Sequence, residues 1–577
     1  MSVCIGIDLG TTNSEVAVVD DGQPEVVPVE GNSVMPSCVG LDAKGNLIVG
    51  TAARNQMLVR PDATILSIKR KMGESCKVGM GNQMLAPEEI SALILKKLKR
   101  AAEKHLGEII DRAVITVPAY FDDAQRKATR NAGVLAGLDV ARIINEPTAA
   151  ALAYDVKIEA DETVLVYDLG GGTFDVSLVV VENGVVEVKA SHGDTHLGGD
   201  DFDNLLMEHV AGRFQEQYGV NLMDDKATRN RLWSAVETGK CQLSNAPYAQ
   251  IREEFIHGDR HLDMEISRLG YEDMIRPLVQ KTMDSVHQCL KDGDMLPGAV
   301  GRVILVGGAS RTPLVAEMIQ DAFRIEPRHE INPDLIVAMG AAIQAGAVSG
   351  KKTRSILVDI TPYTFGTSAV SVHEGNLQPD VFVPIIRRNT PLPVENSDVF
   401  ATVIEAQKAV DIRIYQGEAP LAEENIFIGN FLVEGLGDVP AGNQIVLNLS
   451  LDLNGILQVT AVEKRTGLSK SVRMETDSGK MTLDLDQARK NLEAFIDKGA
   501  AHNNQKGGGV TTKPDLLSRA KRLRKRVLDI VDCVDKTDRE ELRTLVDKSK
   551  KAVTAGDDAT LAELNESLSD MLFYLED

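Results

Sequence analysis

The chain has 577 residues, 43% hydrophobic and 26% charged, with a formal net charge of −22. That length exceeds one compact domain and predicts several, and the acidic balance argues against a broad basic face for nucleic acid. The six cysteines, scattered without a CxxC pair, fit reduced thiols in a cytoplasm better than a disulfide frame or a zinc knuckle.

The first segment, "MSVCIGIDLG", reads as a strand rather than a signal peptide. No apolar run approaches the roughly 20 residues that span a bilayer, so a soluble, cytoplasmic chain with no membrane partner is expected. "VCIGIDLGTTNSEVAVVDDGQPEVV" continues as strand, Asp-Leu-Gly, small-residue turn, strand, glycine turn, strand. "SIKRKMG" follows, a basic run that by itself reads as solvated. In "VITVPAYFDDAQRKATRNAG" a turn proline, Pro118, precedes a helix carrying Arg126 and Arg130.

"VYDLGGGTFD" then places three consecutive glycines between two aspartates, with "VSLVVVENGVVEV" after it. Alone, this stretch reads either as a glycine-rich hairpin or as a loop that admits phosphate against its backbone. It echoes the N-terminal unit: Asp8 and Asp168 hold the same place, 160 residues apart. The duplication predicts two similar lobes facing one another, a ligand in the cleft, and one turn from each lobe on its phosphates. Neither GxxxxGK[ST] nor a GxGxxG opening a helix occurs, so P-loop and dinucleotide folds have no support. "HGDTH" and "HGDRH" have HxxxH spacing outside any amphipathic helix, where that spacing does not bring the rings together. "VGRVILVGGASRTPLVAEMI" predicts a buried strand, a glycine turn and a helix starting near Pro313.

After the last helix of this region, "SGKKTRSILVDITP" runs from a polar basic segment into Ile356-Leu357-Val358 and Asp359, either a linker or the first strand of a next domain. From about 360 to 480 short strands alternate with turns, and "LDLNGILQV" carries an Asn-Gly hairpin signal, which together predict a β-sandwich. Beyond 480 the pattern is helical, from "LDLDQARKNLEAFI". A flexible "AAHNNQKGGGVTTKPD" interrupts it. Apolar stripes follow at Leu516, Ala520, Leu523, Val527, Ile530 and Val534, and at Leu561, Leu564, Leu568, Met571 and Leu575.

With "IGIDLGTTNS", "INEPTAAALAY", "DLGGGTFDVS", "HLGGDDFDN", "ILVGGASRTP" and "NPDLIVAMGAAIQAG" in hand, the chain resembles the seventy-kilodalton heat-shock chaperone family, DnaK-type, from residue 3 to about 480 and more loosely to the end. The resemblance implies a multidomain chain. An α/β actin-like ATPase domain of duplicated ribonuclease-H-like lobes would span 1–350, and a linker 351–359. A β-sandwich peptide-binding domain would span 360–480, and an α-helical lid 481–577.

It also implies site residues. Gly10, Thr11, Thr12 and Asn13, with Gly170, Gly171, Gly172 and Thr173, would contact phosphates, flanked by Gly198 and Gly199. Asp8 and Asp168 would hold the Mg²⁺ shell. Lys69 would be the catalytic lysine, with Glu146, Asp175 and Thr173 orienting water and the metal's ligands. Glu237, Lys240 and Ser244 would hold adenosine, with Gly307, Gly308, Ala309, Arg311 and Asp334 closing the other side. Cys241 stands where some members have arginine, and Ala309 where many have serine. Pro118, Arg126 and Arg130, with the linker residues Ile356, Leu357, Val358 and Asp359, would couple the domains. Thr367, Ala369, Val370, Phe400, Val403, Val410, Ile412 and Ile456 would line a peptide groove; each reads otherwise as ordinary core.

The function implied is an ATP-dependent chaperone for extended hydrophobic segments. Its cofactors would be ATP/ADP and Mg²⁺, with K⁺ as an accompanying ion, and its partners client polypeptides, a J-domain co-chaperone and an exchange factor. The alternatives are a nucleotide-gated regulator of one client and a sugar-kinase-like phosphotransferase. The short segment between Gly73 and Met84 and the compact lid resemble the HscC-like bacterial branch.

Overall fold

A computed structural model describes residues 3–20, 22–155, 161–327, 332–351, 356–373, 376–437, 439–473, 484–493, 520, 523–524, 527, 536–555 and 557–575. Two compact units are present: Met1–Ala102 with Ile110–Ala494, and Glu103–Ile109 with Phe495–Asp577.

The first unit is built on two sheets of the same plan. In one, β1 (Cys4–Leu9), β2 (Asn13–Asp20) and β3 (Gln23–Val26) form an antiparallel meander. β4 (Arg112–Val117) and β5 (Asp139–Asn145) extend it in parallel from the free side of β1, and Met35–Pro36 pairs with β2. In the other, β6 (Glu162–Leu169), β7 (Phe174–Glu182) and β8 (Val185–Asp194) form the meander. β9 (Arg302–Val306) lies parallel to β6, and β10 (Ile356–Val358) lies parallel to β8. The near-continuous apolar runs of β6 and β7 follow from cover on both faces. Leu165, Tyr167, Leu178 and Phe174 are buried toward one set of helices, and Val164, Val166, Val179 and Val181 toward another.

That second set comprises α3 (Glu146–Asp155) and α8 (Ile336–Val348), alanine-rich helices that touch backbone to backbone. A Cβ on Gly340 would stand 1.7 Å from the carbonyl oxygen of Ala149, so glycine is required there by contact. The helix after Pro118 is α2 (Asp123–Leu135), opened by a capping box in which Asp122 accepts from the Gln125 N–H and Gln125 accepts from the Asp122 N–H. Arg126 on it is buried, its guanidinium satisfied by Ala119 O, Phe121 O and Asn145 Oδ1. On the second lobe α4 (Gly199–Tyr218), α5 (Lys226–Leu243), the hairpin 248–267 and α6 (Arg268–Asp292) pack into one core. The helix expected near Pro313 spans Pro313–Phe323.

The sandwich pairs one sheet, β12-β11-β14-β15, with another, β13-β16-β17-β18. The strands are β11 (Phe365–His373), β12 (Asn376–Ile386), β13 (Val394–Ala401), β14 (Ala409–Gln416), β15 (Ile426–Glu434), β16 (Gln444–Leu451), β17 (Leu457–Glu463) and β18 (Ser469–Arg473). Ile445, Leu447, Leu449 and Leu451 alternate inward on β16, against Phe365, Ile386, Ile414 and Ile428. Residues 485–493 are helical, with Ala488 and Leu492 buried.

In the second unit, Lys536–Ala555 and Asp558–Leu575 are helices. Leu542 and Val546 bury with Leu523, Val527 and Leu568, and Ala520 with Ala552, Leu561 and Leu564. The helical stripes therefore form a bundle core. Leu516, Ile530, Val534, the glycine-rich 500–515 and most of the basic 519–526 lie outside the described residues. Among the described residues no helix is long and apolar enough to cross a membrane.

Candidate functional site

The two Asp-Leu-Gly turns meet. A Cβ on Gly171 would stand 2.0 Å from Thr12 Oγ1, and one on Gly172 2.7 Å from Thr11 Cγ2. The third turn joins them, since a Cβ on Gly307 would stand 2.4 Å from the carbonyl oxygen of Leu169. Gly307 has a positive φ of 79°, whereas none of Gly170, Gly171 and Gly172 does. Gly171 and Gly172 are thus needed for close approach, not for a left-handed backbone.

Register gives the two turns matching carboxyl pairs. Asp168 lies opposite Asp175 across β6 and β7, and Asp8 opposite Glu15 across β1 and β2. Facing pairs on one sheet share a side, so the duplication predicts a buried acid at 15, and sequence reasoning passed over it. Its carboxyl is raised well above the usual range by burial, and further by Asp8 and Asp334. Asp8 is pushed up to about 7 by burial and by Glu146, while Lys69 and the Thr116 hydroxyl, donating at 2.8 Å, oppose the rise. Asp175 is likewise pushed up to about 7, by burial and then Glu146, although the Tyr120 N–H donates to its Oδ1 at 3.0 Å. Asp168 is raised well above its usual value by burial and by Glu146, Asp175 and Asp8.

Lys69 is the buried cation among these acids. Its Nζ donates to Glu146 Oε1. Burial alone would lower its pKa, but Glu146, Asp8 and Asp168 together hold it above the ordinary lysine value. A short 3₁₀ turn, Ile68–Lys71, aims Lys69 inward, and it follows Ser67 in the left-handed region at φ 50°. Arg70, next along, reads as solvated in the sequence. It instead reaches Gly172 O at 3.2 Å and pairs with Asp201 at 2.5 Å, while the Ser67 hydroxyl donates to Asp200 at 3.0 Å.

Gly198 and Gly199 brace the phosphate turn. The N–H groups of Gly199 and Asp200 donate to Gly170 O and Gly171 O at 2.9 and 2.8 Å, and that of Gly198 to Asp201 Oδ2 at 2.8 Å. Gly170 N–H is also engaged, by Thr173 O at 3.1 Å. These three glycine amides are thus engaged within the protein. Thr12 Oγ1 is buried with no hydrogen-bond partner among the described residues. Gly10 and Asn13 flank this turn, where a Cβ on Gly10 would stand 2.0 Å from Asn13 O.

Residues expected at the nucleoside side also converge. Lys240 pairs with buried Asp203 at 2.7 Å and touches Gly199 O at 3.3 Å, and a Cβ on Gly199 would lie 3.3 Å from Ala309. Arg311 pairs with Asp334 at 2.8 Å, beside Gly308. Glu237 pairs with Arg54, whose guanidinium covers Trp233 at 4.5 Å. Arg54 and Trp233 lie in no quoted motif, and Asp203, though inside "HLGGDDFDN", was given no role of its own. Ser244 is half-buried just past α5. Exposed Cys241 and half-buried Glu237 border a cavity of about 710 Å³ that Gln242, Asn245 and Tyr248 also line.

At the sandwich, Ile356–Val358 pairs with Val185–Glu187 of β8 and with no sandwich strand, so the segment is not the first strand of that domain. Asp359 is buried; Asn145 Nδ2 donates to both its oxygens at 3.1 Å, and Asn145 Oδ1 accepts from Arg126 at 2.7 Å. Pro118 is buried at the start of the 118–121 loop, whereas Arg130 is half-buried and takes no part in these bonds. Tyr363 OH donates to Tyr120 O at 2.7 Å, Arg388 reaches Asp292 at 2.8 Å, and Asn454 Oδ1 accepts from Ile143 N–H at 2.9 Å. Ser355 lies outside the described residues.

Of the expected groove residues, Thr367 and Ile412 are buried; Ala369, Phe400 and Val410 are half-buried; Val370 and Val403 are exposed. Thr367 donates to Arg413 O at 2.7 Å. Ile456 does not join them. It sits in the β16–β17 turn beside Asn454, at the end where Leu451 faces Val394, roughly 20 Å of strand from Phe400. Ile445, directly opposite Phe400, is the residue that sequence reasoning missed there.

His257 and His261 flank a hairpin tip, where the ring of His261 lies 4.4 Å from that of Phe255. Among the described residues no group of three or more His, Cys, Asp or Glu is arranged to hold a metal ion. A family model described as Hsp70 protein matches residues 4–79 and 75–575.

Proposed function

Because the chain belongs to the Hsp70 protein family, whose members are ATPases and chaperones that bind ATP/ADP with Mg²⁺, J-domain co-chaperones and unfolded polypeptides, we propose that it hydrolyses ATP in the cleft between its two lobes and thereby governs peptide binding in its own β-sandwich. The observation that carries this reading is the meeting of three glycine turns around Lys69, Asp8 and Asp168.

The residues fit the expected ligand. An orphaned, buried Thr12 hydroxyl lies between the two phosphate turns. The carboxyls of half-buried Asp8 and buried Asp168 are both raised by burial and by Glu146, a shift that a divalent cation would oppose. Asp8 and Asp168 would hold the Mg²⁺ shell, and the ion would supply charge neutralisation at the phosphates. Lys69, anchored by Glu146, would place its ammonium where negative charge grows at the leaving phosphoryl group. Asp175, fixed by the Tyr120 N–H, would orient the attacking water, with Thr173 beside it.

Coupling to peptide has a short physical route. Asn145, which grips Asp359, is the residue before Glu146, and Tyr120, which receives Tyr363, is the residue whose N–H holds Asp175. A change at the phosphates would thus have a path to Asp359 across the single peptide bond between Glu146 and Asn145, and a path to Tyr363 through the backbone of Tyr120 alone. An extended peptide would bind with an apolar side chain between Phe400, Val403, Ile412 and Ile445. A sugar-kinase-like activity leaves residues 360–473 without a role. The hairpin Val78–Met80 and Gln83–Leu85 is all that stands between Gly73 and α1 (Pro87–Leu106), which supports an HscC-like branch.

Two experiments test the reading. Single-turnover hydrolysis by Lys69→Ala is expected to slow by roughly 10²–10³-fold; near-normal turnover removes the assignment. Anisotropy of a labelled extended apolar peptide is expected to show faster release with ATP than with ADP, and equal rates refute the coupling.

A further inference from the structure

We propose that His192 is a proton-sensing residue of the seam between the second lobe and the β-sandwich, which docks with this imidazole neutral. The inference concerns the seam itself and stands whether or not ATP drives docking.

His192 lies on β8 opposite Val176. Its ring centre is 5.2 Å from that of Tyr120, which is 5.0 Å from that of Tyr363 in the sandwich. Beside this stack of rings, Arg388 of the sandwich bonds buried Asp292 at the end of α6. The groups facing the imidazole are therefore Asp194 on its own strand, Tyr120 on the 118–121 loop, Asp292 on α6, and Arg388 with Tyr363 from the sandwich. Arg388 is in turn 4.0 Å from Glu418. Among the described residues, His192 Nδ1 and Asp292 Oδ2 are buried without hydrogen-bond partners.

A proton on His192 disturbs the docked seam in two ways. It sets an imidazolium at a half-buried position, its Nδ1 shut off from water and with Arg388 nearby, and it offers Asp292 a second cation from within its own lobe, in competition with Arg388. Burial accordingly holds the docked imidazole below its ordinary range; Asp292 opposes that, Arg388 adds to it, and Asp194 opposes it weakly. With the sandwich away, water reaches the ring, Arg388 is gone, and Asp292 with Asp194 favour the cation. The docked group thus binds its proton less tightly than the undocked one. Docking is strongest above the undocked histidine range and weakens as pH falls through it toward the docked value. One proton limits the effect to about tenfold in the docking equilibrium per pH unit.

The test is hydrogen exchange by mass spectrometry on the full chain between pH 7.5 and 5.5, corrected for intrinsic exchange, without nucleotide and with Mg-ATP. Protection of segments 356–364 and 386–390 is expected to fall with pH in the wild type and clearly less in His192→Gln. His192→Arg is expected to be poorly protected throughout. Parallel loss in wild type and His192→Gln would overturn the proposal by assigning the response to seam carboxyls such as Asp123 or Asp359, as would wild-type protection in His192→Arg at pH 7.5. If the variants fail to fold, an NMR titration of the wild-type His192 ring decides. An apparent pKa below the ordinary histidine value of about 6.5 in the docked chain supports the proposal, and one at or above it refutes it. Protection that responds to pH but not to ATP would sink the coupling of the previous section and leave this inference intact.

Discussion

Replacing Asn145 with alanine tests the seam at its most connected point. The side chain is buried and holds two charged groups, Asp359 through Nδ2 and Arg126 through Oδ1. Arg126 and Asn145 belong to the same lobe, so their bond exists whether or not the sandwich is docked and drops out of the docking equilibrium. What docking alone loses is the donation to the Asp359 carboxylate, a charged partner, at about 1.5–3 kcal/mol. That corresponds to a docking constant lowered roughly 10- to 150-fold. Fluorescence transfer between a donor on the second lobe and an acceptor on the sandwich measures it. A double-mutant cycle isolates the pair: Asn145→Ala with Asp359→Ala is expected to cost about 1–2 kcal/mol less than the sum of the singles, because each single strands a buried partner. Additivity within about 0.3 kcal/mol would refute the reasoning.

Further outcomes follow from contacts already described. Gly198→Ala would put a Cβ 2.5 Å from Gly171 O and 2.7 Å from Gly172 N, so nucleotide affinity by calorimetry is expected to drop tenfold or more with the sandwich intact; unchanged affinity would contradict the bracing role. Gly340→Ala drives a Cβ into the Ala149 carbonyl and is expected to cost at least the 1–3 kcal/mol typical of overpacking, read as a lower first thermal transition. Asp175 in the folded chain holds its proton up to about 7, against 3.8 unfolded, so without Mg²⁺ it subtracts stability as pH rises through that window. Asp175→Asn, which keeps the acceptor for Tyr120 N–H, should therefore raise the melting temperature more at pH 8 than at pH 5; an equal or inverted difference would show the carboxyl is not strained.

The turns were legible because duplication repeats them, and register even pairs Asp8 with Glu15 as it pairs Asp168 with Asp175. The Pro313 helix start and the sandwich strands followed from turn chemistry and alternation. What stayed hidden depends on long-range placement. Arg70 and Arg126 look solvated in isolation, because only the fold brings Gly172 O, Asp201 and Asn145 within reach. Asn454 reads as a turn-former, and its second task, accepting from Ile143, arises from a contact 311 residues away. Ile456 was misplaced for a related reason: apolar alternation along a hairpin says which face a residue takes, not which end of the sandwich. Gly198 and Gly199 were expected near the phosphates from the resemblance alone, and that their amides bond the neighbouring turn and helix start depends on contacts only the fold supplies.

The place taken by Ile356–Val358 has a further implication. In the order β9-β6-β7-β8-β10 the linker strand is the outermost, so β8 becomes the rim of the sheet whenever the linker departs. A bare rim of unpaired amides is a template for foreign strands. Here the exposure is limited to a few residues, and Glu187 and Lys189, paired to each other at 2.7 Å, put charge of both signs beside it. Were Ile356–Val358 to leave, those charges would disfavour pairing of the exposed rim with another copy.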